Sequence, residues 1–242
     1  MNKEIRNLDQ KVAESSELIL DSGSSEIPEE WSRIFYKTYP RLEQVKLATT
    51  PVRQELLQEI LLGRKSEREY IGPITFNELS NIIYYSCGLL PENGACRRMY
   101  PSAGARYPIE CYILTKSVDN LSPGVYHYNV KKNTFETLLS EDISAEIEGM
   151  LINQNALFKN LSALFVLTTV LSRTEVKYGI HSYNFSLLEA GHIAQNMYLI
   201  AQTQRVGICA IGTLHRSKVN ALLDLTEEEM PLCGLSCGKI PE

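Results

Sequence analysis

"RRMYPSAGARYPIECYILT", residues 97–115, joins a turn with little side-chain bulk to a strand, and its reading decides the fold. Pro101 and Pro108 fix φ on either side of Ser-Ala-Gly, and the run from Ile109 to Thr115 is rich in β-branched and aromatic residues. Pro101, Ser102, Ala103 and Gly104 occupy so little volume that a flat or bulky ligand can lie against the backbone, with Ser102 offering a hydroxyl. A plain loop before a strand accounts for the same residues equally well, because turn formers dominate loops of every kind.

C-terminal to this stretch, "GVYHYNVKKNTFETLL" reads as a hairpin turning at "VKKNT", and "EDISAEIEGMLIN" has helical spacing. "LSALFVLTTVL" is a nearly continuous apolar run suited to a buried central strand. "SYNFSLLEAGHIAQNMYLIAQTQRVG" is the longest helix, apolar almost all round; it is expected to stop at Gly207 and to be buried on most of its faces. "ICAIG" and "PLCGLSCG" supply two further strands around a short helix with Leu222 and Leu223. On the N-terminal side, "TFNELSNIIYYSCGLL" carries Thr75 and Glu78 in capping-box register, with Leu79, Ile82 and Ile83 on one face and a stop at Gly88. "TPVRQELLQEILLG" predicts an earlier helix ending at Gly63. Residues 1–50, polar and holding the single Trp31, read as an N-terminal arm, which leaves 51–242 as the folded domain. Strands and helices intermix without a βαβ rhythm, so the class is α+β.

The composition excludes several function classes. A net charge of −5 over 242 residues gives nucleic acid and anionic membranes no electrostatic hold. There is no apolar run of about 18 residues and no basic-then-apolar start, so a cytoplasmic location is expected. Six scattered cysteines include Cys233 and Cys237 in "CGLSC"; without a second pair, they read as buried thiols rather than metal ligands. Glu189 and His192 form an E-x-x-H pair, but a di-iron site needs a second copy, so they read as hydrogen-bonded groups within a helix interface. G-x-G-x-x-G after a strand, the Walker pattern and G-x-S-x-G are all missing.

Two more stretches bear on chemistry. In "GRKSEREY", Arg64, Ser66 and Arg68 alternate, so an extended backbone turns two guanidiniums and a hydroxyl to one face, as a phosphate requires. The interleaved Lys65, Glu67 and Glu69 fit a solvated charge run as well. "VKYGIHSYNF" places Lys177 and Tyr178 at the junction between the apolar strand and the long helix, where they suit either an acid/base pair or an exposed loop.

Taken in order, "GRKSEREY", "PSAGARYPIECYIL", "GVYHYNVKKNTFETL", "KYGIHSYNFSLLEAGHIAQNMYLIA" and "AIGTLHRSKVNALL" resemble the nitroreductase superfamily, and within it the SagB-type dehydrogenase or azoline oxidase branch. The "PSAG..YP" turn and the "LLEAGHIAQN" helix are the most specific parts, and the similarity spans roughly residues 55–240. The resemblance implies an FMN-dependent oxidoreductase with a central mixed or antiparallel sheet flanked by helices, forming a homodimer with flavin sites at the interface. By the same likeness, Arg64, Ser66 and Arg68 hold the FMN phosphate and ring edge, while Pro101, Ser102, Ala103 and Gly104 cradle the flavin. Ile211 and Gly212 supply a backbone N–H toward flavin N5, and Gln195 lies on the interface helix. Lys239 is expected to replace the basic C-terminal tail of some members.

Lys177 and Tyr178 stand where azoline oxidases carry a Lys-Tyr pair, and one of them is implied to remove a ring proton as hydride passes to FMN. Dioxygen would reoxidise the flavin, and a peptide-derived substrate and a cyclodehydratase complex are the implied partners. An NAD(P)H-dependent nitro- or quinone reductase, and a non-catalytic scaffold that has lost its flavin, are the alternatives. Two residues depart from the pattern: Arg106 replaces an apolar residue before "YP", which is expected to bring charge to the cavity, and "YNF" follows "KYG" in place of a tyrosine-arginine pairing.

Overall fold

The computed structural model describes residues 34–50, 57–90, 97–151, 159–212 and 214–241. Trp31, the expected helix start at 51–56, Cys96 and Thr213 lie outside them. The strands are β1 (Gln44–Lys46), β2 (Ile74–Thr75), β3 (Ile109–Thr115), β4 (Val118–Asp119), β5 (Gly124–Asn129), β6 (Thr134–Leu139), β7 (Ala163–Val170), β8 (Val206–Ile211) and β9 (Glu229–Lys239). The α-helices are α1 (Leu57–Gly63), α2 (Phe76–Cys87), α3 (Ser144–Met150), α4 (Ser172–Tyr178), α5 (Ser182–Thr203) and α6 (Arg216–Leu223).

Strand β3 lies at the middle of a seven-stranded sheet ordered β1-β6-β5-β3-β7-β9-β8, in which every pairing is antiparallel. The parallel pairing is confined to the small β2-β4 ribbon. β7 is flanked by β3 and β9, and helices cover both faces of the sheet, which is why "ALFVLTTV" reads as unbroken apolar sequence. Ala163, Phe165 and Leu167 point to one core with Leu79, Ile82 and Ile83 of α2 and Ile193 and Met197 of α5. Leu164 and Val166 point to the other, against Ile147 and Met150 of α3 and Val219 and Leu223 of α6. Each such side chain, fully withdrawn from water, stabilises the fold by roughly 1.5–3 kcal/mol.

Local signals set the element ends. The Thr75 side chain accepts from the Glu78 N–H, and the Glu78 carboxylate accepts from the Thr75 N–H, which completes the capping box of α2. The hairpin turns at Lys131–Asn133, with Asn133 at φ 53°. Within the expected N-terminal arm, residues 44–46 pair with β6 and Leu47 is buried in the core.

Helix α5 departs from expectation in two ways. It ends at Thr203, and Gly207 lies inside β8, where a side chain would meet Glu67 Cβ at 2.7 Å and Ile240 Cγ2 at 2.5 Å. The glycine therefore admits a crossing chain rather than stopping a helix. One face of α5 is buried through Ser186, Glu189, Ala190, Ile193 and Met197, while Tyr183, Leu187 and Leu188 on the other are exposed. Helix α1 ends at Gly63 as expected, but Leu57, Leu61 and Leu62 are exposed, Leu62 by 79 %.

Candidate functional site

Two clusters of candidate residues form along α5. Near its C-terminal end, the extended segment after α1 crosses the edge of the sheet, with the Glu67 N–H donating to the Ile208 carbonyl at 2.9 Å. Arg64 lies over the Tyr198 ring at 5.4 Å, and Ser66 Oγ is 3.1 Å from Tyr198 Oη. Arg68 Nη1 donates to the Ser66 carbonyl at 3.4 Å. The Ala210 N–H donates to the same Tyr198 hydroxyl at 2.8 Å, so this side chain ties the Arg-x-Ser-x-Arg segment to the strand end carrying Ile211 and Gly212. A side chain at Gly212 would meet nothing within 4 Å, so the backbone there is open to a ligand. Tyr198 is the member of this cluster that sequence reading missed; its only signal was one hydroxyl in the apolar run "MYLIA".

The second cluster gathers at the turn after Tyr100. Ala103–Ala105 form a 3-10 turn in which Gly104 (φ 56°) and Ala105 (φ 53°) are left-handed, and Tyr107 (φ 49°) follows in the same region. Left-handed backbone costs a non-glycine residue roughly 1–2 kcal/mol, so the surroundings must hold the turn. The Tyr107 N–H donates to Ser102 Oγ at 2.8 Å, and the Ala105 N–H donates to the Ser102 carbonyl at 3.1 Å. Against this turn stand Lys177 and Tyr178, which end helix α4 rather than lying on a loop. A Cβ on Gly104 would sit 2.7 Å from Tyr178 Oη and 3.0 Å from Lys177 Nζ. The Tyr178 ring packs edge-on to Phe185 with centroids 4.9 Å apart, and Lys177 Nζ lies 5.5 Å from the Tyr178 centroid.

A buried polar chain underlies this turn. Arg106 is 1 % exposed and donates from Nε to the Arg173 carbonyl at 2.6 Å. Its guanidinium is thus bonded toward α4 while it also lines a hollow of about 470 Å³ with Phe35, Val170 and Val176. Arg173 Nη1 donates to the Tyr107 carbonyl at 3.1 Å and pairs with Glu110 Oε1 at 2.6 Å. His127 lies between Glu110 and Glu136, 3.0 Å from each. Burial pushes the Glu110 carboxyl up, but His127, Arg173 and Arg98 overcome it and hold it at about 2. Burial likewise opposes charge on His127, and the two carboxylates overcome it and raise its pKa. Glu189 is 2 % exposed, and neither of its oxygens completes a regular hydrogen bond; burial pushes its carboxyl up to about 7 against the pull of Ser102 and Arg98. His192, expected in the same buried interface, is exposed.

The remaining candidates stand apart. Gln195 lies on the exposed face of α5. Lys239 is engaged elsewhere, its ammonium 2.6 Å from Glu78 Oε1. Cys87, Cys111, Cys209, Cys233 and Cys237 are free thiols, and burial pushes Cys233 up to about 11 and Cys237 up to about 12. Among the described residues no helix is long and apolar enough to cross a membrane.

The model of the nitroreductase family matches residues 46–239, from the end of β1 to the end of β9. The chain belongs to the nitroreductase family. Members of this family generally bind the flavin FMN. The chain is 29 % identical over 202 residues to a Methanocaldococcus jannaschii protein named as a nitroreductase, MJ1384, covering 83 % of this chain and 94 % of that one. It is also 29 % identical over 126 residues to the microcin B17-processing protein McbC of Escherichia coli, covering 46 % of this chain and 42 % of McbC. Trifolitoxin-processing protein TfxB of Rhizobium leguminosarum is 28 % identical over 133 residues, 53 % of this chain and 36 % of TfxB. The chain thus spans less than half of these two peptide-processing nitroreductase relatives. In fold it is similar to a chain of the E. coli microcin synthetase McbBCD complex with truncated pro-MccB17 bound, at a TM-score of 0.65 and 19 % identity, covering 97 % of this chain and 94 % of that one.

Proposed function

We propose that this nitroreductase-family protein is an FMN-dependent dehydrogenase of the SagB type that oxidises an azoline ring in a peptide-derived product to the azole. The observation that carries this reading is the meeting of Gly104 with Lys177 and Tyr178. A Lys-Tyr pair 73 positions along the chain stands against the Pro-Ser-Ala-Gly turn, where only glycine leaves room for it. Relatives named for microcin B17 and trifolitoxin processing point to a peptide as the substrate class.

The residues present fit FMN. Arg64, Ser66 and Arg68 offer two cations and a hydroxyl to a phosphate, and Gly212 offers bare backbone. The two clusters are nine residues apart on α5, about 14 Å along its axis from Glu189 to Tyr198. In the homodimer we propose, the exposed apolar faces of α5 and α1 meet their copies about a two-fold axis perpendicular to α5, which runs the α5 helices antiparallel and brings one protomer's Arg64 cluster toward its partner's turn. Lys239, committed to Glu78, is left out of the phosphate site.

Bound FMN supplies the two-electron acceptor for the hydride leaving one ring carbon. The protein's part is to seat the ring beside the turn and to take the proton from the adjacent carbon on Lys177 Nζ or Tyr178 Oη. Oxidation of a synthetic thiazoline peptide, followed as loss of two hydrogens by mass spectrometry, tests this. Lys177→Ala and Tyr178→Phe are expected to retain FMN and to lose at least about a hundredfold in turnover. Undiminished turnover in both removes the mechanism. The near full-length match to MJ1384, named as a nitroreductase, favours a second reading, an NAD(P)H-dependent reductase; rapid bleaching of the flavin by NAD(P)H without peptide identifies it.

A further inference from the structure

The strained turn and helix α4 are joined by two arginines that cross. Arg106, two residues beyond Gly104, donates from Nε to the main-chain carbonyl of Arg173 in the first turn of α4, at 2.6 Å. Arg173, in return, donates from Nη1 to the main-chain carbonyl of Tyr107, at 3.1 Å. Each side chain thus bonds the backbone of the other's element, and both are buried, Arg106 at 1 % exposure and Arg173 at 7 %. A third link, the Val170 N–H to the Pro108 carbonyl at 2.9 Å, closes the same corner from the end of β7.

Burying two guanidiniums at one corner is unfavourable unless they are paired, and a plain loop has no need of them. Arg173 is compensated by Glu110 at 2.6 Å, whose other oxygen is held by His127, itself held by Glu136. The brace is therefore anchored in the sheet through β3, β5 and β6. Its other end sets Lys177 and Tyr178, one helical turn beyond Arg173, against Gly104. The fit there is close: a single added carbon would clash with both side-chain tips.

We infer that Arg106 and Arg173 form a crossed brace that holds Lys177 and Tyr178 in register with the Gly104 turn, and are positioning residues for the proton transfer. The positioning role rests on the functional reading above; the brace itself does not. A misplacement of about 1 Å in a reacting group is enough to cost on the order of a hundredfold in rate, so a device that fixes two elements at this contact has a direct kinetic consequence.

The test uses the full chain as purified, with Arg106→Met to remove the crossing bond at similar volume, Arg106→Lys to restore a donor, and Arg173→Lys to change the other arm while keeping Glu110 paired. Amide hydrogen exchange by mass spectrometry is expected to rise about tenfold or more in Arg106→Met over residues 101–108 and 172–179 together, with β3 and β7 unchanged. Arg106→Lys and Arg173→Lys should lie between this variant and the parent. A rise spread evenly over all segments, or one confined to the turn, overturns the brace. With thiazoline peptide, Arg106→Met is expected to keep its flavin and its KM within about twofold while kcat falls at least about tenfold, and Arg106→Lys to recover part of the loss. Unchanged kcat in an Arg106→Met protein that opens both segments overturns the positioning role. A parent protein with bound flavin and no turnover of the peptide overturns the functional reading instead, and exchange still decides the brace.

Discussion

Replacing Gly104 by alanine probes the contact on which the proposed chemistry depends. The φ of 56° at this position costs a residue with a Cβ roughly 1–2 kcal/mol relative to glycine. The new carbon would stand 2.7 Å from Tyr178 Oη, 3.0 Å from Lys177 Nζ and 3.2 Å from Lys177 Cδ, all inside ordinary contact distance. Both atoms nearest the new carbon are the far ends of side chains, so they can retreat by rotation at little cost to the fold. The stability loss is therefore set by the backbone, and for a domain of this size about 1–2 kcal/mol lowers Tm by roughly 2–8 °C. The catalytic loss is set by the tips: a retreat of at least a few tenths of an ångström in both groups, larger for Tyr178, predicts a fall of about ten- to a hundredfold in kcat for thiazoline oxidation. The assay pairs thermal unfolding with steady-state turnover in flavin-loaded protein. Gly104→Ala with the parent's kcat would show that the separation of turn and pair does not matter to the reaction, and would refute the reasoning.

Arg64→Ala and Tyr198→Phe, which remove one wall of the Arg-x-Ser-x-Arg cluster and its hydroxyl tether, are each expected to weaken FMN binding by about tenfold or more, read as fluorescence recovery on dilution; unchanged retention in both removes the phosphate assignment. Stability should depend on pH at both ends through the buried chain. The raised pKa of His127 gives stabilisation that is complete below its unfolded value of about 6.5 and is lost as pH rises through the folded value. Glu110, held at about 2, stabilises above its unfolded value near 4.5, and this is lost as pH falls from there toward 2. Glu189, raised to about 7, adds a loss of stability as pH rises from about 4.5 to 7. Urea midpoints between pH 3 and 10 are therefore expected to peak on the weakly acidic side, roughly between 4.5 and 6.5, and His127→Gln should lessen the decline above 6.5 while leaving the part due to Glu189; a flat alkaline profile in the parent speaks against the charged imidazole.

The elements most legible in the sequence are those specified locally. The Thr75–Glu78 box needs only four residues to declare a helix start, the β3 run needed only its β-branched and aromatic content, and the hairpin only its polar turn residues. What failed depended on distant partners. Gly207 looks like a helix stop because glycine does that often, and nothing nearby says that Glu67 and Ile240 crowd its Cα. The apolar residues of α5 are read as buried from composition, yet Tyr183, Leu187 and Leu188 face outward. A helix apolar on two faces states that both will be covered, not by what. Tyr198 gave only the faintest warning, because one hydroxyl on an apolar helix has no period of its own.

The buried charges show where the boundary of such reading lies. Glu110 in "IECYILT" and Glu136 in "TFETLL" are carboxylates in otherwise apolar or half-apolar strands, and His127 stands in "GVYHYN". Each is legible as an anomaly, since a charge in a buried strand must find an opposite charge or a hydrogen bond. Which partner it finds is fixed by register. His127 faces Tyr112 on β3, two residues from Glu110, and faces Glu136 on β6, so the imidazole falls between the two carboxylates only in this alignment. A slip of one residue in either ladder would turn His127 or its partner to the opposite face and leave buried charge uncompensated. The same polar chain that supports Arg173 therefore also selects the pairing of β3, β5 and β6, and the cost of a wrong register there is the cost of an isolated buried ion rather than of a lost apolar contact.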